Sequence, residues 1–137
     1  MKLAMKQLSC KSFAKLNLCL HIINRRDDGY HDLQGIFHAI DLHDTIIFKT
    51  NNSESINLYT NEKNLSNDDN LIYKACVMLA QKCNIKIGMD IKLKKQIPLG
   101  SGLGGGSSNA AVTLHAINKL YNIQLSKDEL VTFADKL

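Results

Sequence analysis

Apolar residues recur with two distinct periods along this chain. At positions 16, 18, 20 and 22, leucine or isoleucine alternates with Asn17, Cys19 and His21. That period of two predicts a strand over residues 11–23 with one buried face, Leu16 and Leu18 pointing to the core. Arg25, Arg26, Asp27, Asp28 and Gly29 follow as a charged turn closed by glycine. Residues 33–42 and 44–49, rich in Ile and Phe, predict two more strands. Residues 55–60, after the turn-forming Asn51, Asn52 and Ser53, predict a weaker fourth.

The polar run 61–69 is the longest loop signal, and Asp69 is placed to cap a helix starting near Asn70. There Leu71, Ile72, Ala75, Met78 and Leu79 recur at helical spacing. Met89, Ile91 and Leu93 alternate with Asp90, Lys92 and Lys94 as a further strand. A helix is expected from about Ser107 to Tyr121, where Ala110, Leu114, Ile117 and Tyr121 form one apolar stripe. Ser126 and Glu129 have the spacing of a capping box, so another helix starts there and is expected to run on to Leu137. Strands first and helices later predict an α+β fold, a mainly antiparallel sheet backed by helices, in one domain over residues 1–137. A terminal helix without a capping glycine leads us to expect a longer polypeptide.

Composition narrows the function classes. With 45% hydrophobic and 22% charged residues the chain is excluded from the disordered class. Its 17 basic and 13 acidic side chains give +4, which suits an anionic small ligand and does not call for nucleic acid. The absence of Trp and the 6% aromatic content poorly equip it to stack single-stranded bases. No stretch approaches the roughly 18 consecutive apolar residues of a membrane span, and the basic start has no apolar core of a secretory signal. Cys10, Cys19, Cys76 and Cys83 form none of the short pairs of zinc or thioredoxin sites. They read as reduced thiols of a cytoplasmic protein.

Five of the eight glycines lie between Gly100 and Gly106. Such a run forfeits backbone entropy, and directly before a helix it exposes N–H groups that suit phosphate. The three standard phosphate loops do not fit. Six residues, a proline among them, separate Leu93 from Gly100, and no acidic residue ends a second strand about 20 residues on, against the dinucleotide fingerprint. Ser107 stands where a protein-kinase loop has Val, and no lysine between Gln96 and Asn118 supplies a Walker motif.

Pro98, Leu99, Gly100, Ser101, Gly102, Leu103, Gly104, Gly105, Gly106, Ser107 and Ser108, followed by Asn109, Ala110 and Ala111, resemble the second motif of the GHMP kinases. That family takes its name from galactokinase and the homoserine, mevalonate and phosphomevalonate kinases. In it this loop wraps the ATP phosphates, so the resemblance implies an ATP site over residues 98–108. Two further segments occur in the order found in one branch of the family: Ala14-Lys15-Leu16-Asn17-Leu18, and Arg26-x-Asp28-Gly29-Tyr30-His31-x-Leu33. Asp69-Asn70-Leu71-Ile72 also fits. Phe13 departs from the proline common before the Ala-Lys pair.

That branch phosphorylates an alcohol group of a small molecule bearing cytidine diphosphate, in non-mevalonate isoprenoid biosynthesis. The resemblance implies Lys15 at the reacting centre with Asn17 on the same strand face, and Tyr30 and His31 at the cytidine. It implies Asn70 and Leu71 near the adenine, where Asn70 equally suits a helix cap. Mg2+ is expected with ATP, held chiefly by phosphates and water, with Ser107 or Ser108 as helpers. His38, Asp41, His43 and Asp44 are not expected to bind a metal, since strand alternation puts His38 and Asp41 on opposite faces.

The implied fold is the GHMP-kinase N-terminal domain, a topology shared with ribosomal and other RNA-binding proteins. Lys and Arg are spread from Lys2 to Lys136, however, rather than clustered on one face. The family's catalytic aspartate follows the helix that begins here at Ser126, in a Gly-Ala-Asp segment. No such segment occurs through Leu137, and Asp135 does not match it. A C-terminal domain is likewise expected outside this sequence, and the chain alone is expected to be inactive. The alternatives are another GHMP kinase, or a non-catalytic nucleotide- or RNA-binding module of the same fold.

Overall fold

The computed structural model describes residues 5–63, 65 and 69–137. The reading of residues 1–4, and of the loop at 64 and 66–68, lies outside the described residues. Strands β1 (Gln7–Arg25) and β2 (His31–Thr50) form a long antiparallel hairpin. Its turn is closed by an Arg26–Asp28 ion pair at 2.7 Å and by Gly29 at φ 87°. Strand β3 (Ile56–Thr60), helix α1 (Leu71–Lys82) and strand β4 (Met89–Lys94) follow. Helices α2 (Gly105–Leu120) and α3 (Lys127–Ala134) complete the chain.

The sheet order is β1-β2-β4-β3, with β2 antiparallel to both β1 and β4, and β3 parallel to β4. The fold is therefore α+β and mainly antiparallel, as the element order predicts. It contains one βαβ crossover, β3-α1-β4, which the strands-then-helices reading did not include. One sheet face carries the core. Ile46 and Phe48 of β2 and Met89, Ile91 and Leu93 of β4 pack against Ile72, Cys76 and Leu79 of α1 and Leu114 and Ile117 of α2. At about 1.5–3 kcal/mol per fully buried large apolar side chain, this layer dominates folding.

The structure departs from several of these expectations. The alternation at Leu16, Leu18, Leu20 and Ile22 does form a strand, but these side chains are not in the core: Leu18 is 62% and Ile22 67% exposed. The reason is topological, since β4 pairs with β2 only over Thr45–Thr50 and the hairpin runs on beyond any covering element among the described residues. The two strands expected over 33–42 and 44–49 are one, β2, kinked where Ala14 alone stands opposite residues 40–42. That bulge also breaks the alternation used to separate His38 from Asp41. Helix α1 is capped by Asn70, not Asp69: Asn70 Oδ1 accepts from the Ile72 amide at 2.9 Å. The capping box of Ser126 and Glu129 is present, but α3 ends at Ala134 with Asp135 as its C-cap and does not run to Leu137.

Candidate functional site

The glycine run connects β4 to α2, and the helix takes its last two members. Helix α2 starts at Gly105, not Ser107, with Gly104 as N-cap at φ 72°. Gly100, Gly102 and Gly104 all have positive φ, a backbone conformation that residues with a side chain rarely adopt. A glycine N-cap has no side chain to offer, and among the described residues no other side chain caps the first-turn N–H groups of α2. No acidic residue lies in that turn. The positive end of a sixteen-residue helix therefore faces a cavity of about 280 Å³ walled by the loop, Leu71 and Lys95. Leu71, the first residue of α1, comes within 3.5 Å of where a Cβ on Gly106 would sit. Two helix N-termini thus meet at one loop.

Lys15 joins this arrangement from β1. Its backbone amide donates to the Leu103 carbonyl at 2.9 Å, satisfying an edge-strand donor with the loop itself. Its side chain lies across Gly104, where an added Cβ would meet Lys15 Cε and Cγ at 3.1 Å. The ammonium donates to Asn17 Oδ1 at 3.0 Å and stands 5.5 Å from the centroid of the Phe37 ring. Asn17 and Phe37 are register partners, so they share the face of Lys15. Phe37 was not singled out in the sequence; its position opposite Asn17 follows only from the hairpin register.

Behind the loop lies a buried polar layer. Ser12 donates to Ser108 Oγ at 2.8 Å. Asp44, fully buried, pairs with Lys95 Nζ at 2.7 Å, and Asn109 lies close enough to help hold the Asp44 carboxyl below its ordinary pKa. Asn109 Oδ1 is buried without a hydrogen-bond partner among the described residues. Ser107 is exposed at the start of α2, whereas the Ser108 hydroxyl already accepts a hydrogen bond. Among the described residues no three His, Cys, Asp or Glu side chains gather into a metal-ligating group.

The other predicted residues are not brought to this cavity. Tyr30 and His31 are at the hairpin tip, where His31 pairs with Arg25. The Tyr30 side chain is 74% exposed, and its backbone amide donates to Asp28 Oδ1 at 3.0 Å. The strand from Lys15 to Arg25 spans on the order of 30 Å if fully extended. Asn70 is buried and uses its side-chain oxygen as the α1 cap.

Residues 70–137 match the family described as "GHMP kinases N terminal domain". The chain is 51% identical over 127 residues to the 4-diphosphocytidyl-2-C-methyl-D-erythritol kinase of Francisella tularensis subsp. novicida, covering 92% of this chain and 46% of that protein. It is 49% identical over 118 residues to the protein of the same name in Thermodesulfovibrio yellowstonii, covering 86% of this chain and 40% of that one. A crystal structure of 4-(cytidine 5'-diphospho)-2C-methyl-D-erythritol kinase superposes with TM-score 0.76 at 33% identity, over 94% of this chain and 45% of that one. The chain thus spans about half the length of the curated relatives it matches. By sequence and by fold together, the chain belongs with the N-terminal domains of the GHMP kinases.

Proposed function

We propose that this chain is the ATP-binding half of a small-molecule kinase. That kinase phosphorylates the 2-hydroxyl of 4-diphosphocytidyl-2-C-methyl-D-erythritol, in non-mevalonate isoprenoid biosynthesis. The observation that carries the reading is the junction of Lys15 with the glycine loop: one lysine is fixed by its backbone to Leu103 while its side chain crosses Gly104. Phosphoryl transfer spreads negative charge over the moving group, and catalysis consists largely of positioning and neutralising that charge. In this reading the loop backbone and the α2 N-terminus hold the ATP phosphates. Lys15, steadied by Asn17, neutralises charge on the transferring group and orients the acceptor hydroxyl. Leu71, and Asn70 through its cap on α1, flank the adenine end. Tyr30 and His31 take the cytidine, an aromatic face and a polar edge suited to a pyrimidine.

Mg2+ in this reading arrives on the nucleotide, with phosphates and water as its main ligands, and the exposed Ser107 hydroxyl is a protein group available to assist. A group to orient or accept the hydroxyl proton is not assigned to any residue of this chain. We therefore propose that the 137-residue chain binds ATP without appreciable turnover.

ADP release tests this, comparing the chain with a version extended to the full length of its relatives, with and without 4-diphosphocytidyl-2-C-methyl-D-erythritol. Substrate-dependent turnover by the extended protein alone is expected. Turnover by the short chain near the extended rate would defeat the assignment of roles, and turnover by neither would favour a non-catalytic nucleotide-binding module.

A further inference from the structure

Asp44 and Lys95 bury a charge pair under the loop, Oδ2 to Nζ 2.7 Å, with side chains 0% and 6% exposed. Asp44 lies on β2 and Lys95 directly follows β4. The second Asp44 oxygen accepts from the amides of Gln96 at 2.6 Å and Ile97 at 2.8 Å. Lys95 Nζ also donates to the Ile97 carbonyl at 2.7 Å. From the other side, Asn61 Oδ1 accepts from the Lys95 amide at 2.7 Å. Residues 95–97, the last before Pro98, are therefore tied from several directions.

A buried ion pair is weak evidence for stability, because desolvation offsets the attraction. Its location is more informative. A Cβ on Gly105 would come within 3.0 Å of Lys95 Nζ and 2.9 Å of Ile97 Cγ2. The ammonium thus touches the entry of the loop and the first residue of α2, the two ends of the phosphate cradle.

We infer that the Asp44–Lys95 pair is a positioning clamp for the phosphate loop, fixing Ile97 against Gly105 so that the first-turn N–H groups of α2 converge on one anion. The inference rests on the phosphate reading above and adds to it the device that aligns the loop. Asp44 and Lys95 act through the backbone rather than on the nucleotide. As a neutral pair they supply alignment, whereas Lys15 supplies charge.

Two neutral replacements separate alignment from folding, because neither leaves an uncompensated buried charge. Asp44→Asn with Lys95→Gln keeps a donor for the Ile97 carbonyl; Asp44→Asn with Lys95→Met removes it. Each chain is titrated calorimetrically with MgATP and with tripolyphosphate, and its unfolding is followed by circular dichroism. The Gln pair is expected within threefold of wild type for both probes, and the Met pair at least tenfold weaker for both while still unfolding cooperatively. Equal affinities in the two folded pairs would overturn the clamp. In the wild-type chain, saturating tripolyphosphate is expected to slow hydrogen exchange at the Gln96 and Ile97 amides. Unchanged exchange there overturns the clamp even if the Met pair does not fold. A wild-type chain that binds neither probe would instead defeat the phosphate reading, and the clamp with it.

Discussion

The Lys15 amide donates to the Leu103 carbonyl at 2.9 Å, so an edge strand and a glycine loop distant in sequence form one unit. An unpaired edge is ordinarily a liability. Here its donor is spent on holding the loop, and the lysine side chain is aimed by the same bond. The backbone geometry of residues 103 and 104 therefore sets where the ammonium sits.

Gly104→Val tests that dependence. Gly104 has φ 72°, and an added Cβ would meet Lys15 Cε and Cγ at 3.1 Å. A β-branched residue is strained there by about 1–3 kcal/mol, and it obstructs close approach of a phosphate. We expect ATP affinity to fall at least tenfold, about 1.4 kcal/mol, with the domain still folded at 25 °C. Nucleotide titration alongside circular dichroism checks this; an unchanged titration in a folded variant would remove the loop from the site.

Local pattern revealed the elements, and contact between distant residues decided the rest. The stripe of Ala110, Leu114 and Ile117 marks α2 because helical periodicity is local. The helix start at Gly105 was hidden because glycine has poor helix propensity, and only tertiary packing against Ile97 and Lys95 holds it helical. Alternation at Leu16 to Ile22 identified a strand but carried no information on whether another element covers it. Asp44 and Lys95 were illegible for the same reason: neither sits in a motif, and their pairing across β2 and β4 exists only after the sheet forms.

Asn70→Ala addresses a residue with two candidate roles. Its Oδ1 is committed to the Ile72 amide at 2.9 Å, so truncation should cost about 1 kcal/mol of stability, read as a lower urea midpoint. ATP affinity of the folded variant is expected within threefold of wild type, since Leu71 forms the cavity wall. A tenfold loss would mean that the amide contacts the nucleotide directly.

The hairpin makes an opposite prediction. Ile22 and Leu33 are register partners, 67% and 52% exposed. Replacing both by Thr should change stability by no more than about 0.5 kcal/mol, as for surface sites. Phe48→Ala, at a fully buried position on the same strand as Leu33, should cost about 3–5 kcal/mol. Urea titration of the two variants compares them directly; a cost above about 1.5 kcal/mol for the Thr pair would mean that the hairpin packs against something.

Acid stability provides the last test. Burial pushes the Asp44 carboxyl up, but the Lys95 ammonium, the Gln96 and Ile97 amides and Asn109 outweigh it and hold the pKa below the usual carboxylate value. A depressed folded-state pKa contributes stability that is fully present above the unfolded value, about 3.9, and is lost as pH falls through the folded value. Asp90, held down by Asn57 and Asn51, and Glu129, held down by Ser126, act in the same direction. Thermal midpoints should therefore stay level with respect to these three groups between about pH 7 and pH 5 and drop below about pH 4. Asp44→Asn combined with Lys95→Gln should make the acid limb shallower without abolishing it, because Asp90 and Glu129 remain. An acid limb equally steep in that variant would show that Asp44 is not the depressed carboxylate. The loop would then be anchored by the Lys15 backbone amide and the Asn61 side chain rather than by a buried charge.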